Sequence, residues 1–340
     1  MKKEKNKHRY NAENERVKYN YRKHLTRAKQ RDEKTVTAAL MHIREYELYT
    51  DFKGFGSYHR DMADKYIQSL LNRELSMSYI CDNIRYLKEF LQWLERQHGY
   101  KSKINYNDID YLNISKNQQR QSKATQYKKA YSYEQIITAI RLMPCKTDKE
   151  KRDKAIISLQ AICTLRVSEL RSVKMQNLIK ENERYFLHIT PKNMDVKFAK
   201  TRIVCFVPLP DDIIANVIDW VDYLKALGFK DNDPLFPAVD NRFTQTSLLQ
   251  QTMRKDSIKS DGTIRKVFKK SFEAAGYEYI RPHSFRTTIA RFAQHQTPAF
   301  FNAVRQNLGH SSIDTTLSSY GQLSYVDQGR ALIECGGKFE

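Results

Sequence analysis

A break in the middle of the chain constrains its fold most. Residues 101–131 are dominated by Asn, Gln, Lys, Ser and Tyr, with Gln118-Gln119-Arg120-Gln121-Ser122-Lys123 as their most polar run. Periodic apolar sequence lies on both sides of it. A stretch this poor in aliphatics reads as an extended, basic linker between two bodies. The length of 340 residues fits two domains. The boundaries read from the sequence are a basic N-terminal arm over 1–31, a helical domain over 32–104, a linker over 105–131, a larger domain over 132–322 and a tail over 323–340.

The first domain reads as helical. Val36, Ala39, Leu40, Ile43 and Leu48 recur near a 3.6-residue period, and Asp51 to Gly56 then interrupts with two glycines. Met62, Tyr66, Ile67, Leu70 and Leu71 give a second stripe. Ile80, Ile84, Leu87, Phe90, Leu91 and Leu94 give a third, which Arg85, Lys88 and Arg96 leave clean. No cluster of reactive side chains falls here, so the domain's expected work is binding.

The second domain reads as mixed. Ser132 with Gln135 and Thr147 with Glu150 are capping-box pairs that open helices. Tyr185 to Thr190 and Ile203 to Pro208 are β-branched and aromatic, as short strands are. Helical patterns return over 213–227, 262–275, 283–294 and 299–308. The expected class is mostly α with a small β-sheet (α+β).

Charge narrows the partner. The chain carries 59 Lys+Arg against 39 Asp+Glu, a formal net charge of +20. That excess points to a polyanion, most simply nucleic acid, bound with a steep salt dependence. The five cysteines have neither metal-ligand spacing nor a disulfide framework, which suits a reducing cytoplasm. No apolar run reaches the length of a membrane span, so no membrane partner is expected. Neither a Gly-Lys-Ser/Thr phosphate loop nor a clustered two-metal carboxylate set occurs, and no cofactor or metal is expected.

The chemistry-bearing residues are few and widely spaced. Arg166 lies in Leu165-Arg166-Val167-Ser168-Glu169-Leu170. His283 and Arg286 lie in Arg281-Pro282-His283-Ser284-Phe285-Arg286, three residues apart and so on one helical face. His310 follows Leu308-Gly309, and Tyr320 follows Ser318-Ser319. Two planar guanidinium forks can neutralise the nonbridging oxygens of a phosphodiester. Two imidazoles can donate or relay protons. A tyrosine among clustered cations has its phenolate favoured and can attack phosphorus, storing the bond energy as a phosphotyrosine.

This ordered set resembles the tyrosine recombinase (phage integrase) family, over most of the chain. The match rests on Leu165 to Leu170, on Lys192 after the first strand, on His283-Ser284-Phe285-Arg286, on Leu308-Gly309-His310-Ser311-Ser312-Ile313-Asp314-Thr315-Thr316, and on Tyr320. The resemblance implies a helical, SAM-like core-binding domain and a catalytic domain forming a C-shaped clamp on DNA. Arg166, Arg286 and His310 would bind the scissile phosphate. Lys192 would protonate the leaving 5′ oxygen, with Lys197 and Lys200 of the same loop as alternatives. His283 would assist proton transfer, Tyr320 would form the 3′-phosphotyrosine, and Glu169 would buttress Arg166.

The implied function is site-specific recombination or integration through a Holliday junction, by a homotetramer on two duplexes, for a mobile element. An accessory DNA-bending protein and a nucleoid-associated cytoplasmic location go with it. The alternatives are a type IB topoisomerase-like relaxing enzyme and a resolvase of chromosome or plasmid dimers. Two details depart from the family pattern. The lysine turn is Pro191-Lys192-Asn193 rather than Gly-Lys-Gly, and Tyr320 stands ten residues after His310 where nine is usual. The tail after Tyr320 is a candidate segment for docking on a neighbouring protomer.

Overall fold

The computed structural model describes residues 10–123, 128–243 and 249–309. The chain divides into two compact units, with the boundary between Ala124 and Thr125.

The first unit contains the three expected helices. α2 (Glu33–Tyr49), α3 (Arg60–Leu71) and α4 (Met77–Glu95) bury the stripes read from the sequence: Val36, Ala39 and Ile43; Tyr66, Ile67 and Leu70; Ile80 through Leu94. A further helix precedes them. α1 (Ala12–Lys23) runs on into a π-helical turn at His24–Ala28. The sequence reads 1–31 as an arm, whereas Val17, Tyr21 and Leu25 join the core. These three recur every fourth residue, a stripe that the surrounding cations mask. Tyr21 packs at 5.1 Å from Phe90 and 4.9 Å from Trp93, ring centre to ring centre. The buried Lys18 ammonium is neutralised by Glu47 at 2.5 Å and Glu15 at 2.7 Å. Asn11 caps α1 by accepting from the N–H groups of Glu13 and Asn14. Asn14, fully buried, donates to the Lys53 carbonyl and accepts from the Phe55 N–H.

The linker also begins later than the sequence suggests. α5 (Tyr106–Ile109) and α6 (Lys116–Lys123) occupy it, and Ile109, Leu112 and Ile114 are buried in the first unit. Single aliphatics in a polar background supply the anchoring, so composition alone hides it.

The second unit opens with α7 (Tyr133–Leu142) and α8 (Asp148–Cys163), and both expected capping boxes are formed. From Ala155 to Cys163 every residue of α8 is buried, which makes this helix the axis of the core. Thr164 ends it in a left-handed conformation, φ 47° and ψ 47°, and α9 (Val167–Ser172) follows at once. β1 (Leu178–Glu181), β2 (Arg184–Ile189) and β3 (Arg202–Cys205) form an antiparallel sheet in chain order. Leu187 pairs with Leu178 and with Val204, and Leu187, Ile189 and Val204 are buried in the core.

α10 (Asp211–Ala226) is followed by a hairpin of β4 (Pro237–Phe243) and β5 (Leu249–Ser257). Sequence reading missed β1 and the hairpin: β1 is only four residues long, and in the hairpin polar residues interrupt the apolar alternation. α11 (Asp261–Ala274), α12 (Ser284–Gln294) and α13 (Pro298–Leu308) complete the described chain. Among the described residues no helix is long and apolar enough to cross a membrane.

Candidate active site

The site is assembled where α8, α9, β3, α12 and α13 meet. Arg166 is the N-cap of α9, in extended conformation. Its N–H donates to Glu169 Oε2 at 2.9 Å, and its guanidinium donates to Glu169 Oε1 at 3.1 Å. Glu169 is fully buried, one helical turn into α9. Arg202 reaches the same carboxylate from β3 with a two-pronged grip, 3.0 Å to Oε1 and 2.8 Å to Oε2. Burial by itself pushes this carboxyl up. The hydrogen bond and charge of Arg202, joined by Arg166, outweigh that and hold it below the usual carboxylate range.

Arg286 is fully buried on the first turn of α12. It donates to the Thr164 carbonyl at 2.8 Å and to the Leu308 carbonyl at 2.6 Å. The Thr164 carbonyl is aimed by the left-handed turn, a conformation rare for a β-branched residue. Gln160 braces the same turn by donating to the Leu165 carbonyl at 2.9 Å.

His283 sits one residue before α12, with its surface exposed. Partial desolvation by the surrounding protein, then the charges of Arg286, Lys128, Arg166 and Lys197, push its pKa down to about 4. His283 therefore stands in a field of cations whose sequence positions span more than 150 residues.

The loop between β2 and β3 carries the lysines. Its middle is pinned: the Asp195 N–H donates to Ser172 Oγ at 2.8 Å, Arg171 pairs with the Asp195 carboxylate, and Met194 is buried. Lys192 lies before this anchor, exposed, at a turn where its N–H leans on Thr190 Oγ1 at 3.4 Å. Lys197 lies after the anchor, in a 3-10 turn at Lys197–Ala199, and its charge bears on His283.

The last turn of α13 is held from three directions. Arg202 Nε donates to the Asn307 carbonyl at 3.1 Å. The Asn307 side chain accepts from the Cys205 N–H at 3.0 Å and donates to the Cys205 carbonyl at 2.8 Å. Arg286 holds the Leu308 carbonyl. Gly309 ends the helix at φ 71°, and a Cβ there would stand 3.1 Å from Arg202 Cδ, so glycine is required on both counts. His310 and Tyr320 lie outside the described residues.

The structure thus brings Arg166, Glu169, His283 and Arg286 together. It adds four residues that sequence reading gave no site role: Lys128, Thr164, Arg202 and Asn307. Lys128 fell in the presumed linker. Arg202 and Asn307 become informative only once β3 and α13 are seen side by side.

Residues 129–326 match the model of the phage integrase family. The chain is a tyrosine recombinase, a DNA breaking-rejoining enzyme. It belongs to the phage integrase family. No curated protein sequence matches it significantly.

Solved structures share its fold at low identity. One is the XerH site-specific recombinase bound to difH substrate, a pre-cleavage complex: TM-score 0.58, 14% identity, 93% of this chain and 84% of that chain covered. Another is a lambda integrase tetramer bound to a Holliday junction: 0.56, 13%, 88% and 77%. A third is the Tn1549 transposon integrase with transposon right end DNA: 0.56, 16%, 94% and 98%.

Proposed function

We propose that the chain is a site-specific recombinase that cuts each strand by attack of Tyr320 on phosphorus, leaving a 3′-phosphotyrosine and a 5′ hydroxyl. The observation that carries this reading is the convergence of Arg166, Arg286 and His283 on one locus, with Glu169 orienting the first of them.

In this reading Arg166 and Arg286 neutralise the nonbridging oxygens as negative charge builds in the transition state. His310 follows directly on the three-way-held turn and adds a further donor. Tyr320 has an ordinary pKa of about 10 and must give up its proton to attack. The cation field lowers that cost, and His283, neutral without DNA, is able to accept a proton. For the leaving oxygen we assign Lys197 in preference to Lys192 and Lys200, since it is the lysine of this loop whose charge is among those that push the His283 pKa down. Fixed cations supply the charge neutralisation, and the bond energy kept in the phosphotyrosine lets a 5′ hydroxyl reverse the step.

The substrate is duplex DNA carrying two recombination sites. By analogy with the lambda integrase tetramer on a Holliday junction, four protomers act on two duplexes through that junction. By analogy with the Tn1549 integrase, the sites are read as the ends of a mobile element. An accessory DNA-bending protein and association with the nucleoid belong to the same reading.

The test is a suicide duplex whose leaving strand is nicked near the cleavage point. The wild-type protein should accumulate a covalent adduct. Tyr320→Phe should give none while binding the same duplex. An adduct from Tyr320→Phe would remove that residue from the role. Relaxation of supercoiled DNA with no joining of distinct duplexes would favour a type IB topoisomerase-like enzyme instead.

A further inference from the structure

We infer that Arg202 and Asn307 are positioning residues, which lock the Arg166 turn and the turn leading into His310 into one preorganised unit. This rests on the site reading above and extends it to residues that do not touch the phosphate.

The geometry is specific. Arg202 uses both ends of its guanidinium. The fork holds Glu169, which in turn holds Arg166, while Nε holds the Asn307 carbonyl. The side chain is only 9% exposed, so these bonds form in a largely water-excluded place. Asn307 then reaches back to β3. Its amide matches the N–H and carbonyl of Cys205 as a neighbouring strand would, on the edge of the sheet opposite β2. α13 is thereby stitched to β3 by a side chain in place of a strand.

The consequence follows from connectivity. The two residues before Gly309 are fixed by different parts of the site, Asn307 by Arg202 and Cys205 and Leu308 by Arg286, and Gly309 follows them at φ 71°. The next residue is His310. The backbone up to Gly309 is therefore held by Arg202, which also holds Glu169 and through it Arg166, and by Arg286. Donors aimed at a developing charge are effective only when they need no rearrangement at the moment of reaction. A slip of about 1 Å in such an array can cost on the order of 100-fold in rate.

A purely fold-stabilising role makes a different prediction, and substrate charge separates the two. The test uses Asn307→Leu, branched at the same carbon but unable to bridge to Cys205, and Arg202→Lys, which keeps the charge but loses the fork. Duplex affinity, thermal midpoint and single-turnover cleavage of the suicide substrate are measured for each. Cleavage is repeated with a neutral methylphosphonate at the scissile position, which removes one of the charges the array must neutralise.

We expect duplex affinity within about threefold of wild type and cleavage of the phosphate slower by roughly 10- to 100-fold. On the methylphosphonate the penalty should shrink to about threefold or less, since less charge then needs aiming. An equal penalty on both substrates, or a loss of affinity and thermal midpoint in step with rate, would overturn the inference. Should Asn307→Leu not fold, Arg202→Lys decides by the same comparison. Arg166→Ala and Arg286→Ala serve as controls. If they cleave normally, the site reading itself fails. If they are dead while Asn307→Leu and Arg202→Lys cleave like wild type, only the positioning role falls.

Discussion

Arg202 and Glu169 form a buried, two-pronged ion pair, 3.0 and 2.8 Å, and the same carboxylate also takes both donors of Arg166. One acid thus sets two arginines. Removing one partner of a buried pair leaves an uncompensated charge, at a cost of about 3–5 kcal/mol. Glu169→Ala should lower stability by that order, read by denaturant unfolding of the second unit.

The pH dependence of that contribution has a definite sign. Glu169 is held below its ordinary value, so its contribution is present at neutral pH and is lost as pH falls through the folded-state pKa. The stability gap between wild type and Glu169→Gln should be flat above about pH 5 and close below the ordinary carboxylate value of about 4.3. Unfolding series at several pH values give the comparison. A gap that widens on acidification would mean Glu169 is not the stabilising anion.

Desolvation and four nearby cations push the pKa of His283 down to about 4 in the DNA-free protein. A bound phosphate offsets those cations and raises the value. DNA binding should then take up a proton, and affinity should increase as pH falls from about 7 toward 5.5, below the ordinary imidazole value of about 6.5. His283→Gln should flatten that slope. Imidazole NMR shifts with and without duplex report the two values directly.

The two loop lysines separate by leaving-group chemistry. Lys197→Ala should slow cleavage by about 100-fold or more, within the range for loss of a general acid. A 5′-bridging sulfur leaves without needing a proton and should restore most of that rate. Lys192→Ala should change neither substrate by much. Rescue of Lys192→Ala and not of Lys197→Ala would return the role to Lys192.

Tyr21 tests whether α1 is an arm or part of a core. Tyr21→Ala leaves the net charge unchanged but removes a fully buried ring packed against Phe90 and Trp93. It should destabilise the first unit by about 3–5 kcal/mol, as large aromatic truncations do. An unchanged unfolding midpoint would mean that the helix does not hold the unit together.

Much of the fold was legible because its signals are local. The stripes of α2, α3 and α4 and the capping boxes at Ser132 and Thr147 need only a window of a few residues. α1 was obscured because Val17, Tyr21 and Leu25 stand among cations, and Lys18 is neutralised by Glu47, 29 positions away. The β4–β5 hairpin has only a broken alternation to read: Val239 and Phe243 in β4 and Leu249 and Met253 in β5 fall at alternate positions, but polar residues interrupt them. At the site, Arg166, His283 and Arg286 were readable from type and order. Arg202 and Asn307 were not, since their partners lie 33 and 102 residues distant and only folding reveals them.

Thr164 has a consequence for how variants of this chain should be scored. A glycine would sit in its left-handed bend without strain, and a ranking by backbone preference would favour that change. The bend, however, serves to point one carbonyl at one guanidinium. A looser residue would let that oxygen wander over a wider cone, so the substitution most comfortable for the main chain is also the one that blurs the aim.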